Sequence, residues 1–160
     1  MSRKLTVYFS ASGVTANAAK LAAKETGSDL YEIQPAVPYT EADLDWTDRK
    51  SRSTIEMNNR SSRPEIMGRL ENLADYDVIY LGFPIWWYRE PSIIDTFLEQ
   101  YDFSGKTIVL FATSGSSGFG RTAAGLKGKV ASDAKIIEGK VFTARASDRD
   151  VISWARSLKI

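Results

Sequence analysis

The run VIYLGF at residues 78–83 is apolar throughout, so a strand built from it has to be covered on both faces. Such a strand belongs in the middle of a parallel sheet with helices above and below, and the rest of the chain supplies those layers. Strand one is expected over 5–9, followed by a helix traced by Val14, Ala18, Leu21, Ala22 and Glu25 and ended by Gly27. Strand two follows over 29–33, stopped by Pro35, then strand three over 77–83, closed by Pro84, strand four over 107–112 and strand five within 135–143. Further helices are expected after Pro91, from Arg121 and over 148–158. The pattern predicts an α/β fold, a doubly wound five-stranded parallel sheet, and a chain of 160 residues fits one domain over 1–160.

Residues 36–63 do not fit a minimal unit of this kind. They are polar, contain PYT and DLDW, precede a helix expected to begin at Pro64, and read as an inserted, partly helical flap anchored by Tyr39, Leu44, Trp46, Ile55 and Met57. Its acids Asp43, Asp45 and Asp48 lack the glycine and distal glutamate of a calcium loop, and are read as a solvated face.

Composition narrows the chemistry. Hydrophobic residues make up 43% and the formal charge is +1, which suggests neither disorder nor a nucleic-acid footprint. The chain has no cysteine and no histidine, so disulfides, thiol nucleophiles, histidine bases and the usual zinc ligands drop out together. Chemistry at such a site has to come from a bound cofactor. The N-terminal run is too short for a membrane span and reads better as a strand than as a signal peptide, so a soluble, cytoplasmic protein is expected.

In open α/β sheets ligands sit beyond the carboxyl ends of the strands, and three loops end there. After strand one, Ser10, Ser12 and Thr15 offer hydroxyls, Gly13 permits a tight turn, and the amides of the first helical turn at Val14, Thr15 and Ala16 point out of the same loop. With no lysine, no G-x-x-x-x-G-K-[ST] and no G-x-G-x-x-G, the loop suits a terminal phosphate without a metal; a Ser-rich turn that only caps a helix is the alternative. After strand three comes PIWWYREP, where Pro84, Ile85, Trp86, Trp87 and Tyr88 offer flat faces, while Arg89 and Glu90 read as a surface pair. Two adjacent tryptophans cannot both point inward. After strand four, Thr113, Ser114, Gly115, Ser116, Ser117 and Gly118 offer backbone amides to a ring edge. A phosphate, a spacer and a planar polar ring make up flavin mononucleotide (FMN).

SASGVT, PIWWYREP and TSGSSGFG resemble the three FMN loops of the flavodoxin-like proteins, and the resemblance covers nearly the whole chain. It is similar to a short bacterial branch that carries PYT, DLDW and SR-rich segments between its second and third strands. The resemblance implies a three-layer sandwich with strand order 2-1-3-4-5. It assigns the phosphate to Ser10, Ser12, Val14, Thr15 and Ala16, the isoalloxazine to 84–88, and the pyrimidine side of the ring to 113–118. It also implies electron transfer with a separate redox donor and acceptor. The chain departs from the family pattern in two respects. With 21 basic and 20 acidic residues it lacks the acidic field of electron shuttles, and Tyr88 stands where relatives place a glycine that lets a peptide flip and supports one-electron reduction. With Arg89 near the ring and no acidic cluster, a less negative second potential is expected. Two other readings stay open: an FMN-dependent NAD(P)H:quinone-type oxidoreductase in which Tyr39 and Trp46 cover a substrate, and a non-redox module for another phosphorylated ligand. No membrane partner is expected, and the chain is read as a monomer or a homodimer through the flap.

Overall fold

The computed structural model describes residues 3–120, 122–143 and 146–158. Five strands form one parallel sheet: β1 (Lys4–Tyr8), β2 (Asp29–Glu32), β5 (Val78–Pro84), β6 (Thr107–Thr113) and β7 (Lys135–Phe142). Their order is β2-β1-β5-β6-β7, which is the expected 2-1-3-4-5 arrangement, with the all-apolar run in the central strand β5.

Side-chain alternation along the strands divides the core in two. Ile79, Leu81 and Phe83 of β5, with Leu5 and Val7 of β1 and Ile108 and Leu110 of β6, face α3 (Ser92–Gln100) and Leu126 of α4 (Thr122–Leu126). Val78, Tyr80, Val109 and Phe111 face α1 (Val14–Thr26) and α5 (Asp148–Ser157). Helix α1 buries Thr15, Ala18, Ala19, Ala22 and Ala23, while Val14, expected on the buried stripe, is 60% exposed. Alanines let the helix axis lie close to the sheet, and Gly27, with φ of 67°, ends the helix as expected. Arg121, the expected start of α4, lies outside the described residues.

Residues 36–63 form a structured flap. Ser51 caps the helix α2 (Arg52–Asn58) by accepting from the Thr54 amide. Tyr39 is its anchor: its ring sits 5.7 Å from Phe9 and 5.5 Å from Trp86, and the Arg52 guanidinium lies over the ring, 3.8 Å from its centre. Burial, and the hydrogen bond that its hydroxyl donates to Glu56, push the Tyr39 phenol well above its ordinary range. Met57 is buried as expected, whereas Trp46 and Ile55 are 75% and 57% exposed. The flap's acids fold its turns: Asp43 accepts from the amide of Thr40, Asp45 from that of Thr47, and Asp48 from that of Lys50.

No helix begins at Pro64. The chain there stays extended, and β4 (Ile66–Met67) pairs antiparallel with β3 (Gln34–Pro35), closing the neck of the flap. A proline that opens a helix has to be followed by a helical turn, and here the following residues are drawn into that ladder instead. Among the described residues no helix is long and apolar enough to cross a membrane.

Candidate functional site

The three loops meet at the carboxyl edge of β1, β5 and β6, where the strand order reverses between β1 and β5. In the first, Gly13 takes φ of 95°, a conformation that favours glycine, and its amide donates to Ser10 Oγ at 3.0 Å. Helix α1 starts there with no side-chain cap and no acid in its first turn. The first intrahelical bond runs from the Asn17 amide to the Gly13 carbonyl, which leaves the amides of Val14, Thr15 and Ala16 for an outside acceptor. Ser12, Gly13 and Val14 are exposed, and Ser10 and Ala16 half-buried. Thr15 is different: it is buried, and its hydroxyl shares a 2.7 Å hydrogen bond with that of Thr113. The bond joins the first loop to the third, and one of the Thr15 hydroxyl's hydrogen-bonding positions is used in making it.

The second loop folds as a two-residue turn. The Trp86 amide donates to the Arg89 carbonyl at 3.0 Å and the Arg89 amide to the Trp86 carbonyl at 3.1 Å, with Trp87 at φ of 47° and Tyr88 at φ of 67° between them. Positive φ at both central residues defines a type I′ turn, which Asn-Gly fills without strain and Trp-Tyr does not. The two tryptophans part company as expected: Trp86 is half-buried, edge-on to Phe9 and Tyr39, and Trp87 is 37% exposed. We expect Tyr88→Gly to raise the stability of the apoprotein by about 0.5–1 kcal/mol, because a left-handed side-chain residue costs about 1–2 kcal/mol and only part of that is returned by glycine's greater freedom when unfolded. Urea unfolding of both proteins checks this, and a lower midpoint for the variant would contradict it.

In the third loop the Ser114 amide donates to the Phe142 carbonyl at 3.0 Å, and the Ser114 and Ser117 hydroxyls satisfy each other at 2.9 Å. Side chains added at Gly115 or Gly118 would meet nothing within 4 Å, so both backbones face open space. The Ile85 amide, 2.8 Å from the Thr113 carbonyl, ties the second loop to the third.

A cavity of about 400 Å³ opens between these loops and the flap. Of the loop residues singled out in the sequence, Ile85, Trp86, Trp87, Tyr88, Ser114, Gly115, Ser116 and Ser117 line it. Pro84, Thr113 and Gly118 flank it without lining it, as does the whole hydroxyl loop from Ser10 to Ala16, which lies alongside. Leu44, Trp46 and Ser53 of the flap complete the wall. Trp46 lies where the oxidoreductase reading places a cover, whereas Leu44, read only as an anchor of the flap, and Ser53 were missed as site residues. Tyr39, which the oxidoreductase reading uses with Trp46 to cover a substrate, does not line the cavity and packs edge-on against Trp86.

Arg89 and Glu90 are not a surface pair. They are 9% and 5% exposed, because the Arg89 guanidinium donates to the Met57 carbonyl at 2.9 Å and Glu90 turns inward toward Asp95. Buried charges of this kind are held by partners, and the partners come from the flap and α3.

The family profile described as Flavodoxin matches residues 3–158. A candidate flavoprotein from Bacteroides uniformis is 46% identical, with 98% of this chain and 99% of that one covered and a TM-score of 0.90. Another from Bacteroides eggerthii is 44% identical, covering 99% and 100%, with a TM-score of 0.88. A flavoprotein from Lactobacillus acidophilus solved in complex with FMN shares the fold at 23% identity and a TM-score of 0.70, covering 97% of this chain and 99% of that one. No curated protein matches the chain in sequence. A profile that spans the chain almost end to end, on a sheet of this order with its three loops converging at the switch point, places the chain in the flavodoxin family.

Proposed function

We propose that the chain binds FMN without a covalent bond and passes electrons through it. The observation that carries this reading is the adjacency of two unlike half-sites. An uncapped α1 N-terminus ringed by hydroxyls lies beside a cavity walled by Trp86, Trp87 and the 114–117 backbone, and the Thr15–Thr113 bond holds the two together. The Lactobacillus acidophilus flavoprotein, which has the same fold, is an FMN complex, and that supports the assignment.

The residues present fit the group. The amides of Val14, Thr15 and Ala16, with the Ser10 and Ser12 hydroxyls and the positive end of α1, would hold the phosphate. Trp86 and Trp87 would flank the ring and exclude water from it, while the backbone of 114–118 would fix its polar edge. When bound, FMN supplies reversible one- and two-electron chemistry. The protein's part is to orient the ring and to set the charge around it. The near-neutral formal charge of +1 and the arginine beside the turn should make the second potential less negative than that of an acidic shuttle. A cytoplasmic setting belongs to the same proposal.

The flap favours a second reading. Leu44 and Trp46 give the cavity an apolar outer wall opposite the ring site, suited to a planar acceptor such as a quinone. Reconstituted protein separates the two. An electron-transfer protein should reduce a one-electron acceptor once per stored electron, with no steady consumption of NAD(P)H in the presence of a quinone. Sustained turnover would favour the oxidoreductase.

A further inference from the structure

Behind the Trp87–Tyr88 turn lies a second cavity of about 400 Å³, lined by Arg60, Arg89, Glu90, Asp95 and Lys129 as well as by both residues of the turn. Two carboxyls are buried at its floor, Glu90 at 5% exposure and Asp95 at 1%. Among the described residues, Asp95 Oδ1 is enclosed with no donor, and Asp95 Oδ2 has only long ion pairs, 3.8 Å to Arg89 and 4.0 Å to Arg63. The Arg89 guanidinium is also 3.9 Å from Glu90 Oε1, too far for a hydrogen bond. Two carboxylates buried against one cavity cannot both stay ionised, and a proton on Glu90 would supply a donor for Asp95.

We propose that Glu90 and Asp95 share one proton, and that Glu90 is a positioning residue which couples proton uptake to the charge of the ligand across the Trp87–Tyr88 turn. The second half rests on the FMN reading of that site. The connection is short: Glu90 directly follows Arg89, whose amide and carbonyl close the turn, and Trp87 and Tyr88 wall both cavities. Arg89 also ties the turn to the flap through the Met57 carbonyl. The charged groups facing the pair among the described residues are Arg89 from the turn, Arg60 and Arg63 from the flap and its exit, and Lys129 following α4. Glu99 of α3 faces it indirectly, engaging Arg63 at 2.7 Å. Burial, followed by the hydrogen bond to Asp95, pushes the Glu90 carboxyl up to about 8.

The sign follows from charge. Reduction places negative charge on the ligand side of the turn, which favours the protonated pair; electrons come from the added reductant, and the proton comes from water and forms an O–H bond on Glu90. The reduction potential therefore falls with rising pH, on account of Glu90, through the region above about 8.

Glu90→Gln keeps a donor toward Asp95 and cannot ionise. In flavin-free protein, the wild-type carboxyl holds its proton when folded and loses it near 4.5 when unfolded, so its stabilising effect is complete at low pH and is lost as pH rises toward about 8. The folding constant of the variant relative to wild type should therefore rise by more than about tenfold between pH 5 and 8. Parallel profiles would overturn the shared proton. In FMN-loaded protein, the wild-type potential should fall more steeply between pH 7 and 9.5 than that of the variant; equal slopes would overturn the coupling. Failure of both proteins to take up FMN would overturn the coupling together with the FMN reading, and the flavin-free profiles would still decide the shared proton. Should the variant not fold, the infrared carboxylic-acid band of wild type decides: presence at pH 7 and loss by pH 10 are expected, and absence at pH 7 overturns the proposal.

Discussion

Ser12→Asp is expected to weaken FMN binding by about a hundredfold while leaving riboflavin binding nearly unchanged. Ser12 is exposed in the loop before α1, so its side chain can be changed without disturbing the core. A carboxylate there would sit beside the proposed phosphate position. Two like charges about 4 Å apart repel by about 4 kcal/mol at an intermediate dielectric, and solvent at this open site reduces that to about 2–3 kcal/mol, roughly a hundredfold in affinity. The same carboxylate would favour the uncapped α1 terminus by about 0.3–1 kcal/mol, so the apoprotein should be unchanged or slightly more stable. Weaker ligand binding in an undamaged fold is a signature that loss of structure cannot imitate. Isothermal titration of both ligands into both proteins checks it, and equal losses for FMN and riboflavin would contradict the phosphate assignment.

Gly139→Ala carries the largest expected effect on stability. In β7 the pairing steps from Leu110 opposite Glu138 to Phe111 opposite Lys140, so Gly139 is the extra residue of a β-bulge. A Cβ there would fall inside the contact radius of the Leu110 carbonyl oxygen and lie 2.7 Å from the Trp154 ring. Neither can give way easily: one is backbone of the β6 ladder, and the other packs edge-on against Phe142 and over Phe111, whose rings are 5.6 and 5.7 Å away. The cost should be about 3 kcal/mol or more, at the upper end of overpacking. Gly128→Ala is the control, since a Cβ there meets nothing within 4 Å, and it should be close to neutral. A Gly139 variant that unfolds at the wild-type denaturant midpoint would show the bulge to be more pliant than its geometry implies.

Much of this architecture was legible because it rests on local signals. VIYLGF could only be a doubly covered strand, and Gly27 and Pro91 mark the end of one helix and the start of another by their own backbone chemistry. The three loops could be placed at one edge because parallel strands all point the same way. What was not legible depended on residues distant in sequence. Val14 looked like a core position by helical spacing, yet the helix uses its alanines, since the closeness of the sheet and not the periodicity chooses the buried face. The strand pair Gln34–Pro35 and Ile66–Met67 is too short to leave a periodic trace, so Pro64 carries only the signal of a helix start. Arg89 and Glu90 carry the composition of a surface, and only the Met57 carbonyl and Asp95, 32 and 5 positions away in the chain, make a buried position for them. Leu44 and Ser53 join the cavity because the flap folds back over it, a consequence of the Tyr39 anchor that no spacing rule conveys.

The central claim is that one loop holds a phosphate while the neighbouring cavity holds a ring. It is tested most directly by titrating metal-free apoprotein with FMN and, in parallel, with riboflavin, following tryptophan and flavin fluorescence together. Tight mutual quenching is expected with FMN, from a ring beside Trp86 and Trp87, and much weaker quenching with riboflavin. Equal quenching by both would remove the phosphate from the Ser10–Thr15 loop, and quenching by neither would contradict the flavin site altogether.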